Sequence, residues 1–400
     1  MTSLATGHPA ASPIDSETTS PQASWSAVFA LTLCVSTLIA SEFMPVSLLT
    51  PIATDLHLSE GTAGQAISIS GLFAVITSLL IARASAGIDR RHLLMGLTAL
   101  MALSGTVVAA APDFPVLMIG RAMIGVVIGG FWSMSTATVM RLVPPRDVPR
   151  ALALLNGGNA LATTIAAPLG SFLGQYIGWR GAFFAVVPLA ALTLVWKFFS
   201  LPGMPSSRGG DQPGTLRVLF RPKVALGMLA VALLFMGQFA IFTYFRPFLE
   251  HVTHVSVSTL SLMLLGLGGA GLVGNAIITP LITRSLARTL LIMPLLMAAI
   301  ALGLIHWGGA AVPTGVLLAL WGCIGTATPV AWWTWLGRVL PDDAEAGGGL
   351  IVAVIQSAIT LGAAGGGILF DRAGYQVTFA AGAVLLVLAG LLGAAAPPRR

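Results

Sequence analysis

From Trp25 onward the sequence is a series of long apolar runs, each of about 20 to 28 residues, the length at which a helix crosses the hydrocarbon core of a bilayer. Twelve of them are centred near residues 39, 72, 102, 128, 163, 190, 236, 270, 298, 325, 358 and 386. In lipid every backbone polar group must be bonded internally, and a segment of this length does so as a helix. The expectation is an all-α membrane protein of twelve transmembrane helices. Charged residues make up 8% of the chain, against about 25% in a soluble domain. Mean hydropathy is +0.91.

The basic residues orient the spans. Of 20 Lys and Arg, all but Arg121, Arg180, Arg246 and Arg372 fall in loops and span ends on the side of the amino terminus, Lys197 among them. By the positive-inside bias both termini are cytoplasmic. Residues 1–24 carry no Lys or Arg and read as a disordered cytoplasmic tail rather than a signal peptide. Residues 25–200 and 222–396 then form two six-helix bundles, joined by a cytoplasmic linker at 201–221. The net charge of +6 is spread over short loops rather than one face, which argues against a nucleic-acid partner. Cys34 and Cys323 each sit inside an apolar run, so neither a disulfide framework nor a metal site is expected.

The two halves repeat. A shift of 196 residues lays Glu42, Phe43 and Pro51 on Gln238, Phe239 and Pro247, and Gly170, Gly178, Trp179 and Phe183 on Gly366, Gly374, Tyr375 and Phe379. One residue more pairs Arg141 and Pro144 with Arg338 and Pro341. Two parallel six-helix units place a binding site between them near the midplane, the organisation of the major facilitator fold.

Within this apolar frame Glu42 stands out. A carboxyl at bilayer depth costs at least a few kcal/mol and normally faces a bundle interior or a wet cavity on an ion or proton path. Asp371 is the one other acid read as lying near a span, at a helix end. Glu42 is therefore the candidate proton carrier, and its repeat partner Gln238 keeps a polar group without the proton. Arg121, in the outer part of the fourth span, needs a carboxylate or carbonyl partner.

Three stretches resemble motifs of the major facilitator superfamily. GRAMIGVVIGG, with Arg121, Gly125 and Gly129, resembles its helix 4 arginine motif. NGGNALATTIAAPLGSFLGQYIGWRGAFF resembles the antiporter motif of efflux members, with Ala167, Pro168, Leu169, Gly170 and Ser171 replacing the usual Gly-Pro and paired glycines. ARASAGIDRRHLL occupies the place of the family's loop signature, of which Asp89, Arg90 and Arg91 remain. Together with SEFMPVSLL these segments are similar to the drug-proton antiporter branch, and within it to bacterial purine ribonucleoside efflux pumps. The resemblance implies export of nucleosides such as inosine and guanosine across the inner membrane. It implies a proton gradient as the energy source, no bound cofactor, and participation of Glu42 and Arg121 in proton transfer.

A purine nucleoside is neutral, flat and rich in donors and acceptors, so a site for it wants aromatic faces with amides. The spans offer Phe131, Trp132, Asn159, Gln238, Phe242, Tyr244, Asn275, Trp332, Trp333 and Gln356. Sugars and amphipathic drugs are the alternative cargo on the same scaffold. The histidines form no metal or triad pattern, which leaves a membrane-embedded enzyme as a remote alternative. A monomer in the bilayer suffices for this fold.

Overall fold

The computed structural model describes residues 24–84, 87–205, 219–340 and 344–396, with side chains described except at 82–84 and 344–346. The tail ahead of Ser24 and the linker stretch 206–218 lie outside the described residues. The helices are α1 (Trp25–Asp55), α2 (Glu60–Ala84), α3 (Arg90–Ala109), α4 (Phe114–Leu142), α5 (Val148–Phe184) and α6 (Val186–Ser200). After the linker come α7 (Pro222–Phe242), α8 (Phe245–His251), α9 (Val257–Trp307), α10 (Ala311–Val339) and α11 (Ala344–Ala395).

Nine helical stretches among the described residues are long and apolar enough to cross a membrane. Three of them double back. The backbone leaves helical geometry at Gly178 (φ 70°), Ser285 (φ −166°) and Gly374 (φ 79°), where a short turn reverses the chain within one continuous stretch. Each therefore supplies two spans, and the total is twelve in two six-helix bundles. Gly178 and Gly374 sit in the left-handed region that favours glycine, 196 residues apart, as the repeat requires.

Other backbone details recur at an offset one residue longer, 197. Ser59 and Ser256 cap the starts of the second and eighth spans, each accepting the N–H of a threonine three residues on, at 3.1 and 3.2 Å. His57 and His254 close the preceding turns with φ of 53° and 56°. Inside each bundle one crossing is tight enough to exclude any side chain: a methyl on Gly125 would strike the Ser70 carbonyl oxygen, and one on Gly322 the Leu267 carbonyl oxygen. Small residues at such crossings let helix backbones approach closely, which drives association where lipid is as apolar as the helix. The neighbouring contact is solved in reverse. Gly129 packs on Ala74 and Thr77, whereas in the second bundle the glycine, Gly271, is on the other helix and faces Thr326.

On the face that carries the termini, Asp89 caps α3 through the Arg91 N–H at 2.8 Å and also accepts the Met204 N–H at 2.9 Å. These backbone donors hold its carboxyl below the usual carboxylate range and pin the start of the linker to the first bundle. Lys197 is no span-end marker. It is fully buried, with Nζ donating to Cys34 Sγ and Thr98 Oγ1 at 2.9 Å each and lying 5.5 Å from the centre of the Phe131 ring. A four-carbon stem lets a residue near a helix end place its charge a full turn deeper.

Replacing Gly125 or Gly322 with leucine is expected to force the crossing helices apart at a cost of about 1–3 kcal/mol or more. This would show as a lowered unfolding midpoint in detergent. Gly96→Ala, where nothing lies within 4 Å of the added carbon, should leave the midpoint unchanged.

Candidate functional site

Two prolines inside the first span, Pro45 and Pro51, set up the site. A helical proline has no N–H for the carbonyl four residues earlier, so the carbonyls of Ser41 and Ser47 are left for other donors. Buried backbone acceptors are seldom left unpaired, and here an arginine takes each. Arg121 Nη1 donates to the Ser41 oxygen at 2.8 Å. Its Nε donates to Ala66 O at 3.0 Å, and Nη2 reaches Glu42 O at 3.3 Å and Ser70 Oγ at 3.2 Å. Arg121 is 1% exposed, so it is a clamp between the first and second spans rather than an interfacial side chain. Three of its four partners are carbonyls, one of the two kinds of partner its depth demanded, and the fourth is the Ser70 hydroxyl.

Arg246 takes the Ser47 carbonyl from across the bundle interface, with Ser171 Oγ at 3.4 Å as a second contact. Glu250 Oε1 holds the same guanidinium at 2.8 Å, in a pair 5% and 17% exposed. Glu250 is thus an acid inside the bundle that reading Glu42 and Asp371 alone overlooked. The signal was present in the sequence, since Pro51 marks Ser47 and Arg246 lies four residues before an acid.

Glu42 itself is half-buried beside this clamp. Its carboxyl faces the charge of Arg121 and the side chain of Gln356, which the second bundle supplies. Next to it Phe43 contacts Phe239 and Phe242 at ring-centroid distances of 6.1 and 6.2 Å, and these two lie 5.7 Å from each other. Phe43 and Phe239 are repeat partners, so the pseudo-twofold axis runs between them.

The structure brings Glu42, Arg121 and Gln356 together, with Phe242 in the adjoining ring cluster. Gln238 and Asn275 are half-buried in the second bundle, and each carries a buried side-chain oxygen with no partner among the described residues. Trp332 Nε1 is likewise unpaired, but its ring is fully packed against Trp335 at 5.5 Å. Phe131 sits in the first-bundle core under Lys197, with Trp132 against it at 5.9 Å. Tyr244 is fully buried; its hydroxyl donates to Ala363 O at 2.9 Å and its ring stacks on Phe370 at 5.0 Å, a helix-packing position. Trp333 is 44% exposed. Asn159 is half-buried one turn from Thr163, whose hydroxyl donates to its carbonyl at 2.9 Å. Ala167, Pro168 and Gly170 are buried, with Gly170 facing Met44 and Ser47 of the first span.

The bundles meet at mid-depth and at the face opposite the termini. Thr164 Oγ1 donates to Gly268 O at 3.3 Å, and the equivalent crossing packs Gly71 against Thr360. Beyond these, Asp371 accepts Ser59 Oγ at 2.6 Å and the Gly61 N–H at 2.9 Å, and Ser261 Oγ meets Ser171 Oγ at 2.9 Å. Glu60 pairs with His251 at 2.8 Å.

Residues 29–358 match the model of the Major Facilitator Superfamily. The chain is 57% identical over 373 residues to "Transcription regulatory protein OpdE" of Pseudomonas aeruginosa, covering 92% of this chain and 93% of that one. It is 43% identical over 369 residues to "Purine ribonucleoside efflux pump NepI" of Escherichia coli strain K12, with the same coverage of 92% and 93%. Among solved structures it is similar to a bacterial homolog of the human lysosomal transporter Spinster in an inward-facing, unoccupied conformation. The TM-score is 0.76 at 16% identity, over 93% of this chain and 96% of that one. A D-xylose-proton symporter matches with a TM-score of 0.74 at 17% identity, over 92% and 97%.

Leucine at Arg121, the residue at the equivalent position 318, is expected to cost about 1–3 kcal/mol by orphaning the Ser41 carbonyl. Adding Pro45→Ala gives that carbonyl its own helical donor and should recover part of the loss. A thermal-unfolding double-mutant cycle in detergent reads the coupling.

Proposed function

Because the chain belongs to the Major Facilitator Superfamily, we propose that it is a secondary transporter exporting purine ribonucleosides such as inosine and guanosine in exchange for protons. It would act in the inner membrane with both termini cytoplasmic. The observation that carries this reading is the position of Glu42, whose carboxyl lies in the middle of the first span, facing the charge of Arg121 in its own bundle and Gln356 of the other. The 43% identity to a purine ribonucleoside efflux pump along nearly the whole chain supports the choice of cargo.

With the termini inside, the hydrogen bonds that join the bundles among the described residues run from mid-depth to the outer face, which supports an inward-facing state. An ionised Glu42 is tolerated only while water reaches it, because an unpaired charge in a dry, low-dielectric site is costly. Closing the cytoplasmic side therefore requires either a proton on Glu42 or a bound solute that donates to it. A nucleoside supplies such donors from its base N–H and ribose O–H groups. The Phe43, Phe239 and Phe242 cluster offers ring faces to a purine, and the unpaired oxygens of Gln238 and Asn275 offer acceptors. Proton and nucleoside thus substitute for one another at one carboxyl. Exchange follows because each ligand shifts the two-state equilibrium by its differential affinity.

Cells expressing the chain are expected to export radiolabelled inosine against a gradient, and an uncoupler or Glu42→Gln should abolish that accumulation. Export that survives in Glu42→Gln removes this carboxyl from the coupling role. The absence of inosine export by correctly inserted protein removes the nucleoside reading.

The relative named for transcription regulation motivates a second reading, in which movement of the cargo alters gene expression. Transcript profiles of cells expressing wild type and Glu42→Gln test it. A difference that depends on Glu42 supports it, and identical profiles reject it.

A further inference from the structure

We propose that Glu60 and His251 form a second proton-binding site, at the face opposite the termini, and that a proton held there keeps that face closed. The two residues come from different bundles. Glu60 lies in the first turn of α2 and His251 ends α8. Their side chains meet at 2.8 Å between Nε2 and Oε1, with the imidazole 60% exposed and the carboxyl 18% exposed. The proton-accepting partner thus faces solvent while the anion is largely covered.

The surrounding charges make the protonated form the fitting one. Arg246 is already engaged by Glu250, with Nε and Nη2 at 2.9 and 2.8 Å from Oε1. Glu250 is a further negative charge acting on Glu60. On the flank contributed by the eleventh span, Asp371 is taken up by Ser59 and the Gly61 N–H. Tyr244 is buried nearby with its hydroxyl committed to Ala363. His254 is exposed in the turn after His251. Thr50 Oγ1, at 3.5 Å, is the other polar contact of Glu60. With a neutral imidazole the group Glu60, Glu250 and Arg246 carries one uncompensated negative charge; with an imidazolium it is balanced.

Opening this face separates the bundles and parts Glu60 from His251. The imidazolium then loses its carboxylate, so the closed form binds the proton more tightly than the open form. Lowering the pH on that side favours closure, and raising it favours opening, by linkage. The site does not rest on the cargo or on the role of Glu42. It acts on the empty protein as well as the loaded one.

The test uses the full chain in detergent with nitroxide labels on Pro112→Cys and Gly309→Cys, exposed residues of this face in opposite bundles. Cys34 is replaced by serine and Cys323 by alanine, and distances are measured by pulsed electron resonance between about pH 5.5 and about pH 8.5. The short-distance population should dominate at the acidic end and give way to a longer one as pH rises. The expected change in their ratio is about two- to fivefold, the scale of a half-exposed ion pair. His251→Gln and Glu60→Gln should flatten the dependence, and His251→Lys should stay closed throughout. Glu42→Gln should retain the transition, which separates this site from the midplane carboxyl. A distance distribution that ignores pH in the parent protein overturns the proposal. So does a transition of the same size in His251→Gln.

Discussion

The grip of Arg121 on the Ser41 carbonyl is the contact on which the rest of the site depends. Pro45 deprives that carbonyl of its helical donor, and the guanidinium replaces the missing bond from another helix. One side chain thereby fastens the first, second and fourth spans at the depth where Glu42 sits, and keeps a positive charge beside that carboxyl. A hydrogen bond to a charged donor contributes about 1.5–3 kcal/mol, more than small-residue packing gives at a single contact.

The duplicated halves keep the same backbone and divide the chemistry. Both carry the glycine that reverses the chain before the last span, the serine cap, and a helix crossing too tight for a side chain. At the ionisable positions they part: Glu42 and Arg121 stand opposite Gln238 and Leu318. The first bundle holds the carboxyl of Glu42 and the guanidinium of Arg121. The second supplies neutral amides and the arginine that crosses to the first at the far face.

The spans, the repeat and the place of Glu42 inside the first bundle were legible because each is written as length, offset or a lone charge in apolar surroundings. Which face of a helix looks inward was not. In a soluble protein polar residues mark the outer side of a helix, but here lipid and bundle interior are both apolar. Trp332 and Trp333, adjacent and equally attractive as cargo contacts, illustrate the loss: one is 1% exposed and the other 44%. Phe131 and Tyr244, 1% and 0% exposed, are likewise buried among neighbouring helices. Lys197 was misplaced because a long aliphatic stem hides where its charge ends up. The proline-freed carbonyls could have been found by stepping back four residues from each proline, a rule of backbone geometry rather than composition.

Arg246 reaches across the interface chiefly to a main-chain oxygen, that of Ser47. The identity of residue 47 is therefore almost irrelevant to that bond, and the serine could drift to alanine without loosening it. The residue that matters is Pro51, which acts by lacking a hydrogen. Sequence comparison that looks for co-varying charged partners across this interface would miss the pairing, because arginine and proline are its two halves.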